Sequence, residues 1–134
     1  MNAIDTNILL YAHDPRDVRK QKIATEIIQS ISNGVLLWQV ANEYLSASRK
    51  LEPFGFNRSD VFKDISDFKK IWITILPSWN IIEQTESLLN RFSLSFWDAM
   101  IISASLEGKI LRLYSEDFDS YKNIDGLEII NPFK

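Results

Sequence analysis

Short apolar runs and amphipathic helical stretches alternate along the whole chain, and this alternation narrows the available folds more than any other feature. Asn2 to Asp5 is expected as a very short first strand. A helical stretch from Asp17 to Ser32 carries Ile23, Ala24, Ile27, Ile28 and Ile31 at helical spacing. Asn33-Gly34 closes it, with Gly34 suited to a left-handed helix end. Val35-Leu36-Leu37-Trp38 is a continuous apolar run, the pattern of a strand covered on both faces. A second helix is expected over Val40 to Leu51, limited by Pro53. Asn57 or Ser59 is placed to cap a third, bearing Val61, Ile65, Phe68 and Trp72 on one face. Ile73 to Leu76 is a strand stopped at Pro77. Asn80 with Glu83 has capping-box spacing ahead of Ile81, Thr85, Leu88 and Phe92. Phe96 to Leu106 is apolar on nearly every side, so that helix is expected deep in the core, ended by Gly108. Ile110 to Tyr114 and Leu127 to Ile130 supply the last strands. The order predicts one α/β domain over residues 1–134, with a mainly parallel central sheet and helices on both faces.

Open parallel sheets place their sites beyond the carboxyl ends of the strands. Four acids fall there. Asp5 ends the first strand, Glu43 lies about one helical turn after the second, and Asp117 follows the strand ending at Tyr114. Asp98 opens the buried helix leading into that strand, and such a helix starts at the same sheet edge. Each acid also has an ordinary structural role open to it. Asp5 can cap a helix containing Ile8 to Tyr11, and Ser95 with Asp98 matches a capping box. Glu43 can be a solvated helix residue and Asp117 a turn residue. Their shared placement at one rim favours a common site.

Converging carboxylates repel one another unless cations neutralise them. Oxygen donors suit Mg²⁺ or Mn²⁺. The chain has no cysteine and one histidine, His13, so thiolate sites, disulfides and a histidine-rich zinc site are excluded. Paired metals can hydrolyse phosphodiesters without a histidine base, which makes this the chemistry the acids favour. The net charge of −3 argues against a nucleic-acid partner at first sight. With four acids committed to a metal site, however, 15 basic residues face 14 acidic ones, and phosphate binding needs only a local basic patch. Arg16, Arg19, Lys20 and Lys22 are candidates for one, with Arg49 and Lys50 near the end of another helix, although a solvated helix face is the favoured reading of each. Trp38, Trp79 and Trp97 are able to stack on bases, but their apolar surroundings predict core burial. The amino terminus lacks the basic and long apolar regions of a signal peptide, and no apolar run is long enough to cross a membrane. A reducing cytoplasm is the expected location.

With these residues placed, the sequence resembles the PIN-domain nucleases, and in particular the VapC-type toxins. Ile4-Asp5-Thr6-Asn7-Ile8-Leu9 resembles the first acidic motif of that family, and Asn42-Glu43 the second. Phe96-Trp97-Asp98-Ala99-Met100-Ile101 resembles the third and is the most specific of the internal matches. Tyr114-Ser115-Glu116-Asp117-Phe118 resembles the fourth, and Gly126 to Phe133 resembles the carboxyl end. The likeness is collinear over essentially the whole chain. It implies a PIN-like three-layer sandwich, an acidic pocket holding Mg²⁺ or Mn²⁺, single-stranded RNA as substrate, a homodimer, and a cognate antitoxin. By position Asp5, Glu43, Asp98 and Asp117 match the family's acids. Asp5, Asp98 and Asp117 would hold one metal, with Glu43 serving a second. Thr6, Asn7 and Ser115 match the polar residues that support them. Glu116 and Asp119 flank Asp117, so the fourth acid has neighbouring alternatives.

A receiver-like phosphoacceptor domain would need an acidic pair at the first strand and a lysine after the last one; neither is evident. A dehalogenase-like phosphatase would need Asp where Asn7 stands. Two readings keep the fold and change the role: a free-standing RNA-processing nuclease, and a catalytically silent interaction domain.

Overall fold

The computed structural model describes residues 1–118 and 120–134. In chain order the elements are β1 (Asn2–Ile4), α1 (Thr6–Tyr11), α2 (Val18–Ser30), β2 (Gly34–Leu37) and α3 (Trp38–Ala47). A 3₁₀ segment (Ser48–Phe54) leads to α4 (Arg58–Ile71), β3 (Ile73–Ile75), α5 (Trp79–Arg91) and α6 (Phe96–Glu107). The chain ends with β4 (Arg112–Tyr114), β5 (Asn123–Ile124) and β6 (Leu127–Ile130).

The strands form one sheet in the order β3-β2-β1-β4-β6-β5. Every pairing is parallel except the β5–β6 hairpin. All four residues of β2 are buried, so both faces of the sheet are covered there, as its unbroken apolar run predicts. The chain walks outward from β1 to β2 to β3 and then crosses back to β4. Right-handed crossovers therefore put α1–α4 on one face and α5–α6 on the other. The packing agrees: α1 lies against α2 and α3, α3 against α4, and α5 against α6. The mainly parallel α/β architecture expected from the sequence is the architecture of the molecule.

Several local expectations need correction. Gly34 does not end a helix in a left-handed conformation; it opens β2, and a Cβ there would overlap the indole of Trp72. The cap of α5 is Ser78, whose hydroxyl accepts from the Ile81 amide at 3.2 Å, rather than Asn80. At α4 the cap is Asn57, with the Asp60 carboxylate reaching back to its amide at 2.8 Å. Trp38, Trp79 and Trp97 are not core residues: they are 48%, 82% and 62% exposed. Each sits at or next to the first residue of a helix, where a side chain lies beyond the helix's buried stripe. Among the described residues no helix is long and apolar enough to cross a membrane.

Candidate active site

β1 lies between β2 and β4, at the point where the strand order reverses. In parallel sheets this reversal opens a crevice at the carboxyl ends of the two diverging connections. Asp5 leaves β1 at that crevice, and the Ser115–Phe118 turn leaves β4 beside it. The Asp5 amide donates to the Tyr114 carbonyl at 2.9 Å, which ties the two exits together.

Asp5 is 3% exposed and caps α1. Its Oδ1 accepts from the Thr6 amide at 2.7 Å, and its Oδ2 accepts from the Ser115 hydroxyl at 2.7 Å. Burial dominates its ionisation and pushes the carboxyl up to about 6; the two donors oppose the rise, and the charges of Asp117 and Glu43 add to it. The cap role and the rim role thus coincide in one side chain.

The neighbours of Asp5 reach the other acids. Thr6 donates its hydroxyl to Glu43 Oε2 at 2.8 Å. Asn7 donates through Nδ2 to Asp117 Oδ2 at 3.2 Å and to Ser115 Oγ at 3.5 Å. Ser115, fully buried, also accepts from the Asp117 amide at 3.0 Å. Each of Thr6, Asn7 and Ser115 therefore holds a different carboxylate: Glu43, Asp117 and Asp5 respectively.

Asp98 stands in the first turn of α6, and no contact ties its side chain to the other three acids among the described residues. Its amide donates to the Ser95 hydroxyl at 3.2 Å, so half of the expected capping box is present. Asp98 is not among the charges that shift Asp5. The start of α6 is joined to the rim through Gln39, a residue that the motif reading missed. Its Nε2 donates to Glu43 Oε1 at 2.7 Å and to the Trp97 carbonyl at 3.1 Å. Its Oε1 is buried and has no hydrogen-bond partner among the described residues. The available signal was helical spacing, since Gln39 stands four residues before Glu43.

Solved structures share this architecture. A toxin–antitoxin complex from Klebsiella pneumoniae superposes with a TM-score of 0.74 at 16% identity, covering 98% of each chain. VapC20 of Mycobacterium tuberculosis, described as a sarcin-ricin loop cleaving toxin, matches with a TM-score of 0.70 at 18% identity, over 89% of this chain and 92% of that one. VapBC-1 from nontypeable Haemophilus influenzae gives 0.67 at 17% identity, over 99% and 98%. The chain has the fold of the VapC-type toxins. No protein-family model matches the sequence, and no curated protein matches it by sequence.

Within this VapC-type fold the fourth strand's turn separates its acids. Asp117 faces Asn7 and acts on Asp5, whereas the Glu116 carboxylate turns away to Tyr11 and Lys20. Asp119 lies outside the described residues. His13 is remote from the rim in bonding terms: its Nε2 lies 2.8 Å from Asp64, and its ring stacks on Phe56. Much of the expected basic patch has partners within the fold. Arg16 pairs with Asp14, Arg19 with the Phe133 carbonyl, and Lys20 with Glu116.

The donors fit a hard divalent cation in kind, being carboxylate oxygens with spare lone pairs and mutual repulsion to relieve. Among the described residues, however, no three of them are arranged to close on a single ion. A groove of about 730 Å³ leads away from Thr6 and Glu43, walled by Trp38, Leu76, Trp97 and Met100.

Proposed function

We propose that this chain is a divalent-metal-dependent endoribonuclease and the toxin of a type II toxin–antitoxin pair. The observation that carries the reading is the acid rim beside β1, where Ser115, Thr6 and Asn7 bond, respectively, the carboxylate of the buried Asp5, that of Glu43 and that of Asp117. Asp5, Asp98 and Asp117 would have to draw closer than they stand here to hold Mg²⁺ or Mn²⁺, with Glu43 available to a second ion; the metal would supply Lewis-acid activation of water and relief of phosphate charge. The chain's own residues do the orienting. Ser115 and Thr6 fix the two oxygens of Asp5, Thr6 aims Glu43, and Asn7 aims Asp117.

A structure of similar fold is described as a toxin–antitoxin complex, which supports an antitoxin as partner. A homodimer is part of the proposal, and Ile71, Ile73, Leu76 and Trp79, which are 70%, 57%, 62% and 82% exposed, offer apolar side chains for a second copy to cover. An RNA substrate and the absence of cysteine agree with a cytoplasmic location.

Purified protein incubated with single-stranded RNA tests the reading. Internal cleavage with Mg²⁺ or Mn²⁺, abolished by excess chelator, is the expected result. Undiminished cleavage in chelator would refute metal dependence. No cleavage by folded, antitoxin-free protein across varied RNAs would favour a silent interaction domain. Purification of the native protein alone and fully active would favour a free-standing processing enzyme.

A further inference from the structure

The turn after β4 is gripped from two sides. On its inner side Ser115 and Asp117 meet Asp5 and Asn7. Between them Glu116 points the other way. Its Oε1 accepts from the Tyr11 hydroxyl at 2.6 Å, and its Oε2 pairs with the Lys20 ammonium at 3.0 Å. Lys20 closes the triangle by donating to the Tyr11 hydroxyl at 3.2 Å. The same ammonium lies over the rings of Tyr11 and Phe133, 4.6 and 5.3 Å from their centroids. Both charged side chains are 27% exposed, so this pair is partly sheltered rather than a freely solvated surface pair.

The backbone of the turn needs such support. Phe118 has φ 66°, a left-handed conformation that is costly for a bulky residue and persists only when its surroundings fix it. The inner contacts are uneven: Ser115 bonds Asp5 at 2.7 Å, but Asn7 reaches Asp117 only at 3.2 Å and accepts from the Glu116 amide at 3.4 Å. The outer bonds to Glu116, at 2.6 and 3.0 Å, are shorter than both Asn7 contacts, and the Lys20 bond carries a charge on both partners.

We propose that Glu116, clamped by Tyr11 of α1 and Lys20 of α2, is a positioning residue that sets the Ser115–Asp117 turn against Asp5. It binds no metal and touches no substrate. The clamp links the tilt of α2 to the placement of Asp117, so a partner that moved α2 would disturb the acid rim.

The inference deepens the nuclease reading, and its first readout does not depend on that reading. Hydrogen exchange of the turn amides is compared in wild type, Glu116→Gln, Lys20→Met and Lys20→Arg, alongside Mn²⁺ binding measured by electron paramagnetic resonance. Glu116→Gln and Lys20→Met should each speed exchange at the Asp117 amide and weaken Mn²⁺ binding about tenfold, as loss of a supporting partner does. Lys20→Arg keeps the ion pair and should behave as wild type. With RNA, kcat should fall while KM stays within about twofold, because a displaced supporting group affects the reacting geometry more than general binding. Unchanged exchange in both Glu116→Gln and Lys20→Met overturns the proposal. So does loss of Mn²⁺ binding in Glu116→Gln alone, which would make Glu116 a ligand. If Glu116→Gln does not fold, Lys20→Met and Tyr11→Phe decide by the same exchange measurement. If wild type cuts no RNA, the nuclease reading fails, and the exchange data still settle the clamp.

Discussion

The Ser115 hydroxyl donates to Oδ2 of Asp5 at 2.7 Å, joining residues 110 positions apart in sequence. The bond spans the exits of β1 and β4, where the strand order reverses. Ser115 is fully buried, so its oxygen has no water to compete for it, and it also accepts the Asp117 amide. One hydroxyl therefore couples the most buried acid of the rim to the most exposed one.

Asp5 should destabilise the fold at neutral pH. Its carboxyl is raised from 3.8 to about 6, chiefly by burial. The sign follows directly: the stability associated with the protonated form is fully present below the unfolded value and is lost as pH rises through about 6. Asp5→Asn removes the titration, and the carboxamide oxygen can still accept from Thr6. Relative to wild type, Asp5→Asn should gain roughly 2–3 kcal/mol between pH 4 and pH 8. Urea unfolding at the two pH values measures it; a difference that does not change with pH would contradict the account.

Asp64 carries the opposite dependence. Burial alone would raise its pKa, but bonds from His13 and from the fully buried Tyr44 outweigh that and hold it below the usual value. A depressed acid stabilises the fold above its unfolded pKa, about 3.9, and the contribution is lost as pH falls through the folded value. Tyr44→Phe should move acid unfolding to higher pH, as followed by circular dichroism. An unchanged acid midpoint would show that the Tyr44 bond does not hold Asp64 down.

Gly34 is required by packing rather than by backbone conformation. A methyl group there would overlap the Trp72 indole, which is 8% exposed and stacked on Phe68 with centroids 4.6 Å apart. Gly34→Ala should cost about 1–3 kcal/mol, the usual penalty for overpacking a filled core. A melting temperature equal to wild type would mean that Trp72 moves aside freely.

The sequence made the long-range plan legible because it rests on strong, local patterns. Ile23, Ala24 and Ile27 mark the inner face of α2, the Val35–Leu37 run marks a doubly covered strand, and the acids fall where strands end. Features that depend on what lies across the chain were not legible. Gly34 looked like a helix terminator because Trp72, 38 positions later, is invisible to a local pattern. The aromatic side chains of Trp38, Trp79 and Trp97 looked like core because periodicity counts hydrophobicity and not the tertiary cover over a helix's first turn. The β5–β6 hairpin was missed despite its signal, an Asp125-Gly126 pair with both residues at positive φ. At the rim, the acids were marked by position, but Gln39 had no motif, and the outward turn of Glu116 depends on Tyr11 and Lys20.

The central claim is that the Asp5-centred rim cuts RNA, and the most direct measurement is kcat/KM for single-stranded RNA with Mn²⁺ in wild type and Asp5→Asn. The variant should be folded, as shown by its unfolding transition, and slower by at least about a hundredfold, beyond what losing a supporting partner alone costs. A folded Asp5→Asn protein that cleaves RNA within about tenfold of wild type would place the chemistry elsewhere and contradict the account.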